Sequence, residues 1–195
     1  MVGMRNVVDV LDELSCGEDG RAEEALSHLA AWGSEAVEPL VERLSSNDKD
    51  IRWWAVRGLA EVHDERVPAI LVRALSDPDK GVRWCAGLAL RQHPSEDAIP
   101  ALMGLLSDEE ALTRRLAGDA LVAIGKAGVP KLLETMLKGE HLARLEAVRA
   151  LAKISDERCI PALFEALDDS SALVTYWASE GLEKMGVGMV FYHPE

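Results

Sequence analysis

An all-α fold, a right-handed α-solenoid of about five helical-hairpin repeats with capping helices, is predicted by three features of this chain. The first is a period. Ala25, Ala55, Ala86, Ala117, Ala147 and Ala178 advance in the same steps of 30, 31, 31, 30 and 31 residues as Leu29, Leu59, Leu90, Leu121, Leu151 and Leu182. A fixed spacing in this range marks units that bury their apolar faces only by stacking on their neighbours. The second is the pattern within a unit, where Ile51, Ala55, Leu59 and Val62 share one face of a helix. The third is a proline that opens the second helix of each unit, at Pro68, Pro100, Pro130 and Pro161, with Pro39 one position late. Proline suits a first helical turn because its missing N–H has no partner to lose there.

Residues 1–195 are therefore expected to form a single repeat domain, with a capping segment over 1–16, repeats over 17–185 and an apolar tail over 186–195. The segment Met4 to Leu14 predicts a lone capping helix whose apolar residues are Val7, Val8, Leu11 and Leu14. In each repeat a first helix, A, carries the alanine and leucine columns. A second, B, carries the proline and two apolar turns, such as Leu102 and Leu106 or Leu163 and Leu167. Polar turns close the units, for example Ser76-Asp77-Pro78-Asp79 and Ser107-Asp108-Glu109-Glu110, and their Asp and Ser residues are expected to cap the next helix.

After the turns stand Arg52, Arg83, Arg114 and Arg144, each three residues before the invariant alanine. Their fixed offset predicts a ladder in which each guanidinium bonds a turn Asp or loop carbonyls. Gly139-Glu140 and Thr175 break the pattern, so the ladder is expected to be weakest near the C-terminus. The alanine column places a small side chain where helices cross closely. A sixth A helix is expected from Leu173 to Met185, and the tail from Gly186 either folds back as a lid or docks elsewhere.

Composition narrows the function. Against 21 Lys and Arg stand 34 Asp and Glu, a formal charge of -13. Nucleic-acid binding draws its affinity from neutralised phosphates, so DNA, RNA and anionic membrane surfaces are disfavoured as partners. A neutral or basic protein fits better. No run of 18 apolar residues occurs, and Asp9, Asp12 and Glu13 interrupt any secretory signal core, so a cytoplasmic location is expected. Cys16, Cys85 and Cys159 have no metal-ligand spacing and are expected to be reduced thiols in small gaps. The five histidines occupy unrelated repeat positions, which gives no support to a metal site.

Candidate binding residues are those the repeat does not require. Trp53, Trp84 and Tyr176 hold one repeat position, about 200° around the helix from the alanine face, so each is either a lid over the inter-repeat groove or an exposed anchor. Arg52 and Arg83 precede two of them, in the ladder or at its rim. Trp54 and Trp177 are expected between adjacent A helices, and Trp32 in the core slot of Val62, Ile124 and Ile154. Arg57, Asp119, Arg149 and Glu180 are expected on a charged outer face. On the B helices, Leu71, Met103 and Leu105 either form an apolar binding patch or belong to the core.

The run Asp79-Lys80-Gly81-Val82-Arg83 with Ala86 and Ala89-Leu90, followed by Ala98-Ile99-Pro100-Ala101-Leu102, resembles the short HEAT-like repeats typified by phycobilisome lyase subunits. The likeness covers residues 17 to 185. It implies the fold firmly and the function loosely, since the family includes bilin lyases and isomerases, often paired subunits, alongside simple scaffolds. The related deoxyhypusine hydroxylases carry a di-iron centre on His-Glu dipeptides, and this sequence has only the reversed Glu140-His141. A non-catalytic protein-interaction scaffold without cofactor or metal, single or paired as a hetero- or homodimer, is therefore expected. The alternative is a bilin lyase-type enzyme or subunit with bilin as substrate.

Overall fold

The computed structural model describes residues 7–14 and 16–187. The chain is an all-α repeat protein in which α-helices alternate between A and B roles. Its contacts divide it into two compact units, residues 1–98 and 99–195.

The first unit contains α1 (Val7–Leu14), α2 (Asp19–Trp32), α3 (Val37–Arg43), α4 (Lys49–Leu59), α5 (Val67–Ala74) and α6 (Lys80–Gln92), and ends in a 3-10 turn at Glu96–Ala98. The second contains α7 (Ile99–Leu105), α8 (Ala111–Ile124), α9 (Val129–Lys138), α10 (His141–Ile154), α11 (Ile160–Ala166) and α12 (Ala172–Lys184). Helices α2, α4, α6, α8, α10 and α12 are the A helices. The alanine and leucine columns lie on them at no more than 1% exposure throughout, which confirms that this face is the core.

The prolines lie where the chain needs them: Pro68, Pro130 and Pro161 stand in the first turns of α5, α9 and α11, and Pro100 is the second residue of α7. Asp48 and Asp79 cap α4 and α6, accepting from the N–H of Asp50 at 2.8 Å and of Gly81 at 2.8 Å. Two residues earlier, Asp77, Asp108 and Asp169 each fold the turn by accepting the N–H two positions on, at 2.8 Å. Glu110 and Glu140 precede α8 and α10 and make no side-chain cap.

Glycine is required where helices meet. A Cβ at Gly181 of α12 would lie 2.9 Å from the Cα of Ala152 on α10, and one at Gly58 of α4 would lie 2.8 Å from Leu40 of α3. Gly139 ends α9 with its N–H 2.8 Å from the Thr135 carbonyl, and a Cβ there would come within 2.5 Å of the same oxygen.

Several expectations need correction. In α1 the buried residues are Val10, Leu11 and Leu14 with Val7 half-buried, while Val8 is exposed, because positions 7, 10, 11 and 14 share one helical face and 8 falls outside it. Of the slot shared by Trp32, Val62, Ile124 and Ile154, only Val62 is fully covered. Leu71 is completely buried in α5 and belongs to the core, not to a surface patch. The final A helix runs Ala172–Lys184, close to its expected span. The tail beyond Val187, with His193, lies outside the described residues.

Candidate protein-binding surface

The arginine ladder is the frame on which the candidate aromatics stand. In the first unit Arg52 grips Asp77 of the next turn with two bonds, Nε to Oδ2 at 2.8 Å and Nη2 to Oδ1 at 2.9 Å. Its Nη1 also donates to the Ser46 and Asn47 carbonyls at 3.0 and 3.3 Å. Arg83 donates to the Asp77 and Pro78 carbonyls at 2.9 and 3.1 Å. Asp77 is thus held through its side chain by one repeat and through its backbone by the next. The bond from Arg52 keeps the Asp77 carboxyl below its ordinary range, and the same bond raises Arg52.

In the second unit Arg114 donates to the Asp108 and Glu109 carbonyls at 2.6 and 2.9 Å. Arg144 bonds Asp169, and the Thr175 hydroxyl takes over at the last turn, donating to the Asp169 and Ser171 carbonyls, each at 3.2 Å. The ladder thins toward the C-terminus as expected: among the described residues the Arg144 guanidinium bonds no carbonyl of its own turn, and at Thr175 a neutral hydroxyl stands in for the guanidinium. Each forward partner stands 25 residues ahead, and for Arg114 that position is Gly139, which has no side chain to offer.

On this frame Trp53 and Trp84 are both half-buried. Trp53 meets Trp54 edge to face, with ring centroids 4.8 Å apart. A Cβ on Gly81 would lie 3.8 Å from its indole, so Trp53 of α4 leans over the start of α6. The ammonium of Lys80 stands 5.3 Å from the Trp84 ring centroid, within cation–π range. Trp53 thus partly roofs the junction between α4 and α6, and both tryptophans keep part of their surface in solvent. Arg52 is buried in the ladder and Arg83 is half-buried.

In the second unit Tyr176 is 51% exposed and meets Trp177 edge to face at 5.2 Å. Trp177 faces an open cleft of about 450 Å³ with Ala152 and Lys153 of α10 and Glu180 and Lys184 of α12, consistent with a place between adjacent A helices. Met103 and Leu105 are half-buried on α7.

Two features were not anticipated. Arg149, expected on a charged outer face, is 2% exposed. It donates to Glu146 and Asp119 at 2.7 Å and to the Arg115 carbonyl at 3.0 Å, and Lys153 joins Asp119 at 3.0 Å. Burial pushes the Asp119 carboxyl up, but the bonds from Arg149 and Lys153 outweigh it and leave the group below its ordinary value. The sequence signal was Gly118, whose missing side chain leaves room for the guanidinium.

The second feature is a repeated Asp-Glu-Arg before α5 and α11. Arg66 binds both oxygens of Asp64 and reaches back to Glu38 at 2.9 Å and the Ser34 carbonyl at 3.2 Å. Arg158 binds Asp156 and reaches back to the Lys126 carbonyl at 3.0 Å. The bonds from these arginines lower the Asp64 and Asp156 carboxyls to about 2.

The remaining titratable groups form no site. His93 donates from Nε2 to the Ala60 carbonyl at 2.8 Å, and its ring lies 5.6 Å from that of His63. His28 and His141 are exposed. Among the described residues no three His, Cys, Asp or Glu side chains are grouped to hold a metal. Among the described residues no helix is long and apolar enough to cross a membrane.

Comparison with known proteins agrees with this architecture. The family model of HEAT repeats matches residues 8–91, 67–145 and 129–189. No curated protein sequence matches the chain. Among solved structures, a HEAT-like repeats protein from the archaeon Thermococcus onnurineus NA1 aligns with a TM-score of 0.67 at 15% identity, covering 97% of this chain and 84% of that one. The complex of CpcE and CpcF of phycocyanin lyase from Nostoc sp. PCC7120 aligns with a TM-score of 0.59 at 20% identity, covering 74% of this chain and 96% of that one. A designed armadillo repeat protein in complex with the peptide (KR)4 aligns with a TM-score of 0.53 at 19% identity, covering 93% of this chain and all of that one. The family match spans nearly the whole chain, and this protein belongs to the HEAT-repeat family.

Proposed function

We propose that this protein is a non-catalytic adaptor that binds a neutral or basic protein through outward positions of its A helices. The observation that carries the reading is the pair Trp53 and Trp84. The alanine and leucine columns already supply the core of each unit, yet both indoles keep part of their surface in solvent. Tryptophan, tyrosine and arginine dominate binding hot spots because they bury much area for few rotatable bonds. Arg83 is the secondary contact of this reading in the first unit; in the second unit, taken by itself, Tyr176 on the A helix α12 and the alternative candidates Met103 and Leu105 on the B helix α7 are the residues to test. The formal charge of -13 favours a cationic partner and opposes nucleic acid. Two similar folds are recorded with a basic peptide or as a protein complex, which supports the same direction.

The test is capture from extract of the source cells by the wild-type chain and by the Trp53→Ser/Trp84→Ser variant. The reading predicts a protein enriched by the wild type and lost from the variant while far-ultraviolet circular dichroism stays unchanged. Equal enrichment by both would remove the tryptophans from the site.

A second reading, a bilin lyase or lyase subunit, draws on the fold shared with CpcE and CpcF. It predicts a red-shifted, structured absorption band when free bilin is mixed with the protein. An unchanged spectrum at tens of micromolar bilin, a range in which a weak complex of roughly 10 µM dissociation constant would be populated, counts against it.

A further inference from the structure

Large apolar side chains at the surface are not spread evenly. Of the eight that stand exposed among the described residues, four lie in the first two turns of the consecutive A helices α8, α10 and α12: Leu112 at 45%, Leu142 at 40%, Leu173 at 57% and Tyr176 at 51%. The three leucines occupy one column, five residues before the invariant alanine. In the preceding repeats that column holds Gly20, Asp50 and Gly81. The fold does not need leucine there, and the first unit manages with polar or absent side chains. Helix α10 packs against both α8 and α12, and neighbouring helices lie about 8–10 Å apart. Leu112, Leu142 and Leu173 therefore form a row with a step of about 10 Å, with Tyr176 one turn beyond its end.

The row has an acidic border. Glu109, Glu140 and Asp168 stand in the turns just before the three helices; they are exposed and make no side-chain ion pair among the described residues. The nearby cations are mostly engaged: Arg114 and Arg144 are bonded to the turns, Arg115 sits 3.7 Å from Asp119, Lys138 stands 3.9 Å from Glu134, and His141 is exposed. An apolar row with a carboxylate at each step matches one chemistry. Seven residues of α-helix rise about 10.5 Å, the same step as the row. We infer that this edge of the second unit docks a cationic amphipathic helix of a partner protein, lying across α8, α10 and α12 with apolar anchors seven residues apart and Lys or Arg between them. This rests on the adaptor reading and adds to it a second surface and the character of its ligand. A second copy of this chain fits poorly, because a charge of -13 would meet itself.

The probe is a fluorescent helical peptide of about 18 residues, some 27 Å long, with leucines on one face and lysines elsewhere. Its control carries glutamate for every lysine. Titrated with the full chain, the lysine peptide is expected to bind saturably and more weakly as salt rises, and the glutamate peptide not to bind. The variant Leu142→Ser/Leu173→Ser should weaken binding roughly tenfold or more with unchanged helicity, since both side chains already face water. Glu109→Gln/Glu140→Gln/Asp168→Asn should flatten the salt dependence, and Leu137→Ser, at an exposed leucine outside the row, should change nothing. Undiminished binding by the leucine variant, or equal binding of both peptides, overturns the inference. So does sedimentation showing a wild-type dimer that the leucine variant abolishes, because the row would then be a self-interface. If the extract experiment enriches a partner but these arms fail, only this inference falls; if no protein is enriched at all, the adaptor reading itself falls.

Discussion

Arg149 shows how far a single residue can depart from its place in the pattern. Its column suggested solvent, yet it lies against the groove that Gly118 leaves open on α8, where a Cβ would approach Nη2 to 2.6 Å. Removing one member of a buried charged network costs about 3–5 kcal/mol because its partners stay behind unpaired. Gly118→Ala should cost about 1–3 kcal/mol by overpacking. In the Arg149→Ala background the clash is gone, and the same change should be neutral or stabilise by up to about 1 kcal/mol, the helix propensity of alanine over glycine. Urea midpoints of the four proteins check this, and additive costs would contradict it. Nothing in the pattern of apolar residues announces Arg149, since burial of a charge depends on what faces it from the next repeat.

Asp64 and Asp156 carry a pH signature at the same scale. Their carboxyls titrate at about 2 when folded, against an ordinary 3.8, because Arg66 and Arg158 bind the ionised form. A carboxyl depressed in the folded state contributes stability that is complete above its unfolded value and is lost as pH falls through the folded one. The wild type should therefore lose this contribution progressively between about pH 4 and 2. The double variant Asp64→Asn/Asp156→Asn should be less stable at pH 6, and its deficit should shrink as pH falls across that window. A deficit constant from pH 6 to 2 would contradict the assignment.

At the scale of the element, the sequence was most legible where the same contact recurs. The prolines, the ladder arginines and the Asp48 and Asp79 caps follow from fixed offsets and were found in their places, whereas Glu110, Glu140 and Ser171 hold the same position without a side-chain cap. What the offsets did not convey is the forward reach of 25 residues, which explains why Arg144 keeps a carboxylate partner and Arg114 lacks one. A double-mutant cycle on Arg52 and Asp77, both about 11% exposed, should give a coupling of about 1–2 kcal/mol. A coupling near zero would reduce the ladder to a surface decoration. The Asp-Glu-Arg clamps escaped notice because they occur in only two repeats, and a motif present twice stands out less than a column present six times. Leu71, which the sequence left open between patch and core, is decided for the core, because a B helix this short turns most of its apolar face inward.

For the whole molecule, the repeat accounts for the core and leaves a small remainder at the surface. The thiols follow the same division. Burial pushes Cys85 up to about 12 and Cys159 up to about 11, while Cys16 is exposed. A thiol reagent at pH 8 should modify one cysteine quickly in the folded protein and three in urea. Fast modification of two or more in the folded state would show that the core is looser than described. The binding surface was only half legible in the sequence: the Trp53, Trp84 and Tyr176 column was visible as an exception to the repeat, but the leucine column gained meaning only when exposure separated it from the core.

The central claim is that this remainder, not a catalytic group, carries the function. The most direct measurement is quantitative capture from source-cell extract by the wild type, by Trp53→Ser/Trp84→Ser and by Leu142→Ser/Leu173→Ser, all of equal helicity. The account predicts a cationic protein enriched by the wild type and depleted from at least one of the two variants. The same proteins in the same amounts with all three chains would contradict it.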